Sequence, residues 1–229
     1  MDKPKPDIVT LEEWRQARDE LRAAEKEATR AADALAARRR RLPMVKFDNG
    51  YEFATPDGPK SLLDLFDGRD QLIVYQFMDN GPDRYCPGCT WFTDNIPANA
   101  PRMLADQGIT WVTASNMPLE QIERYKAKMG WALPFVSSRG TSFSDDCDAG
   151  RGFMLTTFLR DGDDVYRAYS TTSRGIEKLV FTTGVFDLTP YGRQEDWEDS
   201  PAGWPQNPTY VLPIPMEWDH VSTGFGSYR

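Results

Sequence analysis

Cys86 and Cys89, held two residues apart by Pro87 and Gly88, stand between a strand-like run and a segment that can continue as a helix. The run is Gln71-Leu72-Ile73-Val74-Tyr75-Gln76-Phe77-Met78, the most apolar of the chain, and Thr90-Trp91-Phe92-Thr93-Asp94-Asn95 follows the second cysteine. A strand buried on both faces and followed by a helix belongs to an α/β layer structure. The junction also fixes chemistry. A thiol at a helix N-terminus sits among unpaired backbone N–H groups and the positive end of the helix dipole, which favour thiolate over thiol. A second cysteine one turn on is close enough to resolve a mixed disulfide.

The rest of the composition narrows the class. A chain of 229 residues can bury one generous core, so one domain with appendages is expected. A net charge of -8 argues against nucleic acid or an anionic membrane as the main partner. No apolar run reaches the roughly 20 residues of a spanning helix, and the charged N-terminus does not resemble a signal peptide. Three cysteines are too few for a disulfide framework, and the cytoplasm is the expected location.

Periodicity and punctuation divide the chain. Residues 1–43 read as a helical extension, 44–188 as the main domain and 189–229 as a C-terminal tail. Between about Leu11 and Leu42 the sequence is rich in Ala, Glu and Arg, with Thr10 as N-cap, Glu13 at the capping-box position and Pro43 as the stop. Leu11, Trp14, Ala17, Leu21, Ala24, Ala28, Ala31 and Leu35 form a thin apolar stripe, which suggests a long helix lying on the domain or on a second subunit; a second copy is expected, and a helix stable alone is the competing account. Arg38-Arg39-Arg40-Arg41 reads as a solvated basic last turn. A small hairpin is expected around Pro56-Asp57-Gly58, and a short helix over Ser61–Phe66. Ile109–Ser115 reads as a second central strand, and Pro118 opens a helix over Leu119–Met129 that Gly130 stops. Phe135-Val136 marks a short strand. Phe153–Leu159 and Val165–Tyr169 flank Asp161-Gly162, a hairpin signal, and Gly175–Phe181 reads as the closing helix. The tail is rich in Pro and Trp, irregular, yet too apolar to be freely disordered, so it is expected to pack on the domain surface.

This order of segments resembles the thioredoxin superfamily, in its peroxiredoxin and thiol-reductase branch. Several blocks resemble more closely a bacterial thioredoxin-like family known as domain of unknown function 899. They are Arg41-Leu42-Pro43-Met44-Val45, the strand beginning at Gln71, Cys86-Pro87-Gly88-Cys89, Lys128-Met129-Gly130-Trp131, Ser137-Ser138 with Ser142-Phe143, and the stretch from Asp187 to Arg193. The resemblance implies a thioredoxin-like three-layer fold: a central mixed β-sheet, a long N-terminal helix and an irregular C-terminal tail. It also implies dithiol–disulfide activity with no fixed substrate. The sequence departs from thioredoxins in having no proline before the strand that would face the disulfide, where Leu155 or Thr156 stands.

Within that frame Cys86 is the expected nucleophile and Cys89 the resolving thiol. Pro87 contributes a pre-set φ at the helix start, Gly88 leaves room for an approaching sulfur, and Arg84 is expected to add positive potential. Trp91, Trp131, Leu155 and Thr156 are candidates for a substrate groove. Asp79, Asp83 or Asp94 could pass protons to Cys89, although solvated carboxylates explain them as well. Cys147, set among carboxylates, reads as a filler, and His220 is the only histidine. No structural metal is expected, because the two motif cysteines lack a second ligand pair. No cofactor is expected either: there is no phosphate loop or dinucleotide fingerprint, so electrons would come from another protein or a small thiol. Three readings stay open: a dithiol–disulfide oxidoreductase acting on an unknown protein or small-molecule disulfide, a peroxiredoxin-like peroxidase, and a non-catalytic binding scaffold. Gly81-Pro82-Asp83-Arg84-Tyr85 does not match the peroxiredoxin pattern upstream of the cysteine.

Overall fold

The computed structural model describes residues 4–207. The chain opens with helix α1 (Leu11–Arg39), whose Thr10 cap accepts the Glu13 N–H while the Glu13 carboxylate accepts the Thr10 N–H. The helix stops at Arg39, short of the expected Leu42, and a turn carries the chain through Arg41 to Pro43. Strand β1 (Val45–Phe47) follows, then a small hairpin of β2 (Glu52–Phe53) and β3 (Lys60–Ser61) and a single 3-10 turn over Asp64–Phe66.

The central unit begins at β4 (Gln71–Phe77) and runs through α2 (Pro87–Asp94), α3 (Ala100–Ala105), β5 (Ile109–Ser115), α4 (Leu119–Met129) and β6 (Phe135–Ser137). Helix α5 (Phe143–Asp146), the hairpin β7 (Met154–Asp161) and β8 (Asp164–Thr171), α6 (Arg174–Glu177) and α7 (Phe181–Phe186) complete it. The six-stranded sheet has the order β1-β8-β7-β4-β5-β6. Strands β4, β5 and β6 are parallel, whereas β7, β8 and β1 pair antiparallel. A parallel β4-α2-β5 unit next to an antiparallel hairpin that returns beside its first strand is the thioredoxin-like arrangement. The central mixed sheet and long N-terminal helix are as the sequence implied.

Alternation along β4 builds two cores. Leu72 and Val74 join Phe47, Phe53, Phe66, Phe143 and Phe158 on one face. Tyr75 and Phe77 join Cys86, Cys89, Phe92, Tyr125 and Leu155 on the other. Each fully buried Phe contributes about 1.5–3 kcal/mol of transfer free energy, and Phe53 and Phe143 add a near-perpendicular ring contact at 4.9 Å.

Three features depart from the sequence reading. β1 was not expected, and it pairs with β8 from Val45↔Arg167 to Phe47↔Val165. α5 was not expected either; Phe143 anchors it in the core. The single closing helix over Gly175–Phe181 is two helices, because Val180 is extended (φ -91°, ψ 113°) and buried between them.

In the tail, Tyr191 donates to the Pro4 carbonyl at 2.7 Å and meets the Trp204 ring edge-on at 5.3 Å. Arg193 bonds Asp187 and Glu177, each at 2.7 Å, and Arg174 lies over the Trp197 ring at 3.6 Å. Tyr210, Trp218 and His220 lie outside the described residues. No helix among the described residues is long and apolar enough to cross a membrane.

Candidate functional site

The two cysteines are placed by the C-terminal end of β4 and the first turn of α2. The chain leaves β4 at Met78 and doubles back, with an isolated bridge between Asp79 and Tyr85 closing the loop. Asp79 Oδ1 accepts the Gly81 N–H at 2.9 Å, and Gln121 of α4 donates to the Gly81 carbonyl at 3.1 Å. Gly81 has φ 96°, a conformation open to glycine at little cost. Tyr85 then lies flat on Tyr125, with rings 3.5 Å apart and 4° from parallel.

Cys86 is the N-cap of α2 and Pro87 its first residue, a position where the missing proline N–H costs nothing. The Cys86 sulfur accepts the Cys89 N–H at 3.4 Å, so the thiol stands in for the usual capping oxygen. Thr90 donates to the Cys86 carbonyl at 2.8 Å and shares a 2.8 Å hydrogen bond with the Tyr125 hydroxyl. Thr93 donates to the Cys89 carbonyl at 2.8 Å. The first two turns of α2 are thereby pinned to α4.

The two thiols are driven apart in acidity. A hydrogen bond from the Cys89 thiol does most to hold Cys86 below its ordinary value; the Cys89 and Gly88 N–H groups help, and burial opposes. Burial pushes Cys89 well up, and the Cys86 sulfur beside it adds to the rise. The Met78 N–H and the Tyr75 hydroxyl work against that rise by bonding to the Cys89 sulfur. Tyr75 itself is raised well above its ordinary value by burial first and by the two sulfurs second. It therefore remains a hydrogen-bond donor across the neutral range.

Sequence reasoning missed Tyr75. It reads as one more core aromatic in an apolar strand, and only its register, opposite Leu155 and on the face of the cysteines, gives it a role.

The other candidates divide. Leu155 shares the core of Cys86 and Cys89. Thr156 pairs with Val74 and therefore points to the other side of the sheet, away from the motif. A one-residue step along a strand changes the face.

Trp91 is half-buried against the cysteine core. Trp131 supports that core from outside: it donates to Asp94 Oδ1 at 2.6 Å and meets the Tyr125 ring edge-on at 5.2 Å. Asp94 is raised by partial burial, against which the Trp131 bond works. Arg84 is exposed and is not among the groups that lower Cys86, so the expected positive potential comes from backbone N–H groups instead. Cys86, the expected nucleophile, is only 3% accessible, against 1% for Cys89. Tyr85, Leu155 and Ile176 belong to the same core.

Cys147 lies across the sheet, fully buried in the other core. Burial pushes its thiol up to about 12, and the charge of Arg167 offsets only part of that. Among the described residues no group of three or more His, Cys, Asp or Glu side chains could hold a metal.

A dithiol at the N-terminus of the helix after the central strand of a thioredoxin-like sheet is what the fold and site define. The chain belongs to the family described as bacterial protein of unknown function (DUF899), which matches residues 3–218. A comparison with curated proteins finds no match. Among solved structures, the chain is similar to peroxidoxin BcpB from Mycobacterium tuberculosis, at 18% identity and a TM-score of 0.40, over 56% of this chain and 86% of that one. It is also similar to peroxiredoxin Q of Xanthomonas campestris, at 20% identity and a TM-score of 0.38, over 55% of this chain and 83% of that one. A secreted disulfide oxidoreductase of Mycobacterium tuberculosis is similar at 11% identity and a TM-score of 0.38, over 56% of this chain and 90% of that one.

Proposed function

We propose that the protein is a dithiol–disulfide oxidoreductase in which Cys86 attacks and Cys89 resolves. The observation that carries this reading is the opposed acidity of the two thiols, with the Cys89 N–H on the Cys86 sulfur and the Tyr75 hydroxyl on the Cys89 sulfur. The Cys86 thiolate attacks one sulfur of a substrate disulfide, forming a mixed disulfide, and the other substrate sulfur leaves as a thiolate that takes a proton from water. Cys89 then loses its proton and attacks the Cys86 sulfur, which expels the second substrate thiol. The substrate is reduced by two electrons and Cys86–Cys89 is left as a disulfide, restored by an external thiol. Tyr75, which stays protonated, donates to the Cys89 sulfur as its charge develops.

A second reading is favoured by one observation, the near-complete burial of Cys86. A peroxide is small enough to reach a buried thiolate that a protein disulfide cannot. The Cys86 thiolate would take the distal oxygen and release an alcohol or water. Cys89 would then displace water from the sulfenic acid, giving the same disulfide.

Trapping separates the readings. A Cys89→Ser variant is expected to accumulate a mixed disulfide through Cys86 when given a model disulfide, and Cys86→Ser to lose all thiol-dependent turnover. A sulfenic acid on Cys86 after peroxide, with no reaction toward disulfides, selects the peroxidase reading. Thiols that stay unreactive toward both oxidants in the native chain refute both and leave a binding scaffold.

A further inference from the structure

Helix α1 runs 29 residues, about 43 Å at 1.5 Å per residue, and none of its residues is buried. Its ends are braced on the chain's own body, through Tyr191 to the Pro4 carbonyl at 2.7 Å and through Arg39 over the Tyr169 ring at 5.4 Å. Between the braces the apolar stripe is open: Trp14 is 55% exposed, Leu21 56% and Leu35 45%.

The stripe has a strict heptad period. Trp14, Leu21, Ala28 and Leu35 occupy one core position, and Ala17, Ala24 and Ala31 the other. A helix packed on a globular core follows the 3.6-residue repeat, with a wider face; a strict heptad seam of two positions is what a second helix covers.

Side-chain size fixes the direction of that second helix. In a parallel pair like positions face each other, so Leu21 would meet Leu21 and Ala24 would meet Ala24, alternating wide and narrow layers. In an antiparallel pair the two core positions face each other, and Leu21 meets the partner's Ala31 while Leu35 meets the partner's Ala17. Four layers of one large and one small side chain then flank two central layers of Ala24 on the partner's Ala28, and the axes stay at the close end of the 8–10 Å range. Charge agrees. α1 carries equal numbers of acidic and basic residues in a chain of net charge -8, so the helices meet without net repulsion. The acidic pair Glu12 and Glu13 opens the helix and the basic residues close it.

We propose that α1 pairs with α1 of a second copy of this chain as an antiparallel two-helix coiled coil. Sedimentation equilibrium on the full chain tests it. A monomer–dimer equilibrium is expected, with Leu21→Glu weakening the dimer at least about tenfold while circular dichroism remains native. Ala31→Lys should weaken it as well, and mixing the Leu21→Glu and Ala31→Lys variants should restore it, because the antiparallel register sets positions 21 and 31 against each other. In a parallel pair positions 21 and 31 do not face each other, and mixing the variants would restore nothing. A chain that stays monomeric at high micromolar concentration overturns the proposal. So does a dimer insensitive to Leu21→Glu but lost in Phe181→Glu, which would place the interface on the exposed apolar surface of α7.

Discussion

In the proposed mechanism Tyr75 controls the resolving thiol, because its hydroxyl bonds to the Cys89 sulfur. The strand residue nearest Cys89 is neither acid nor base at neutral pH; burial keeps its proton in place. It can therefore stabilise a Cys89 thiolate by donation while leaving the removal of the thiol proton to the departing substrate sulfur or water. Tyr75→Phe removes that donor, and the Cys89 thiol, already raised, is expected to rise further. Resolution of a Cys86 mixed disulfide should slow at neutral pH and recover as pH rises, with formation of the mixed disulfide unchanged. Stopped-flow release of a chromogenic thiol separates the two steps. An unchanged pH profile for release would show that the hydroxyl plays no part.

Helix α2 holds the dithiol only as firmly as it is held itself. Thr90 is fully buried and bonds both the Cys86 carbonyl and the Tyr125 hydroxyl. Thr90→Val keeps the shape and removes both bonds, so a loss of about 1–3 kcal/mol is expected, read as a lower melting temperature. A melting temperature unchanged within error would mean that Tyr125 and the helix are held by stacking alone. Elements like these were legible wherever local chemistry decides. The bounds of α4 follow from Pro118 and Gly130, whose φ of 70° ends the helix, and the β7–β8 turn follows from Asp161-Gly162. The motif itself was legible because Cys86 caps the helix it precedes. Elements decided by distant partners were not. β1 is three residues with no period, and only its pairing with β8 makes it a strand. The break at Val180 depends on core contacts and on Asn95 accepting the Thr182 N–H at 3.2 Å. For the same reason the burial of Cys86 could not be read: Leu155 and Ile176, which share its core, come from the second half of the chain.

The described residues form two cores divided by one sheet, with Cys86 and Cys89 in one and Cys147 in the other. Cys147 ties the second core to alkaline stability. Its folded pKa of about 12 exceeds the roughly 8.5 of a free thiol. The stability it contributes is therefore complete below pH about 8.5 and is lost as pH rises toward its folded value. Burial raises Cys89, Tyr51 and Tyr125 as well, so the reduced protein should lose stability steadily above that point. Cys147→Ala lowers stability at every pH through its cavity, but should make the alkaline decline shallower in urea unfolding. An identical slope would contradict the assignment. The opposed acidity of Cys86 and Cys89 is tested most directly by alkylating the reduced native protein across pH and mapping each cysteine by mass. Cys86 should react first, with a midpoint below that of a free thiol, while Cys89 and Cys147 remain unmodified until the chain unfolds. Modification of Cys89 as fast as Cys86, or a Cys86 midpoint above that of a free thiol, would contradict the account.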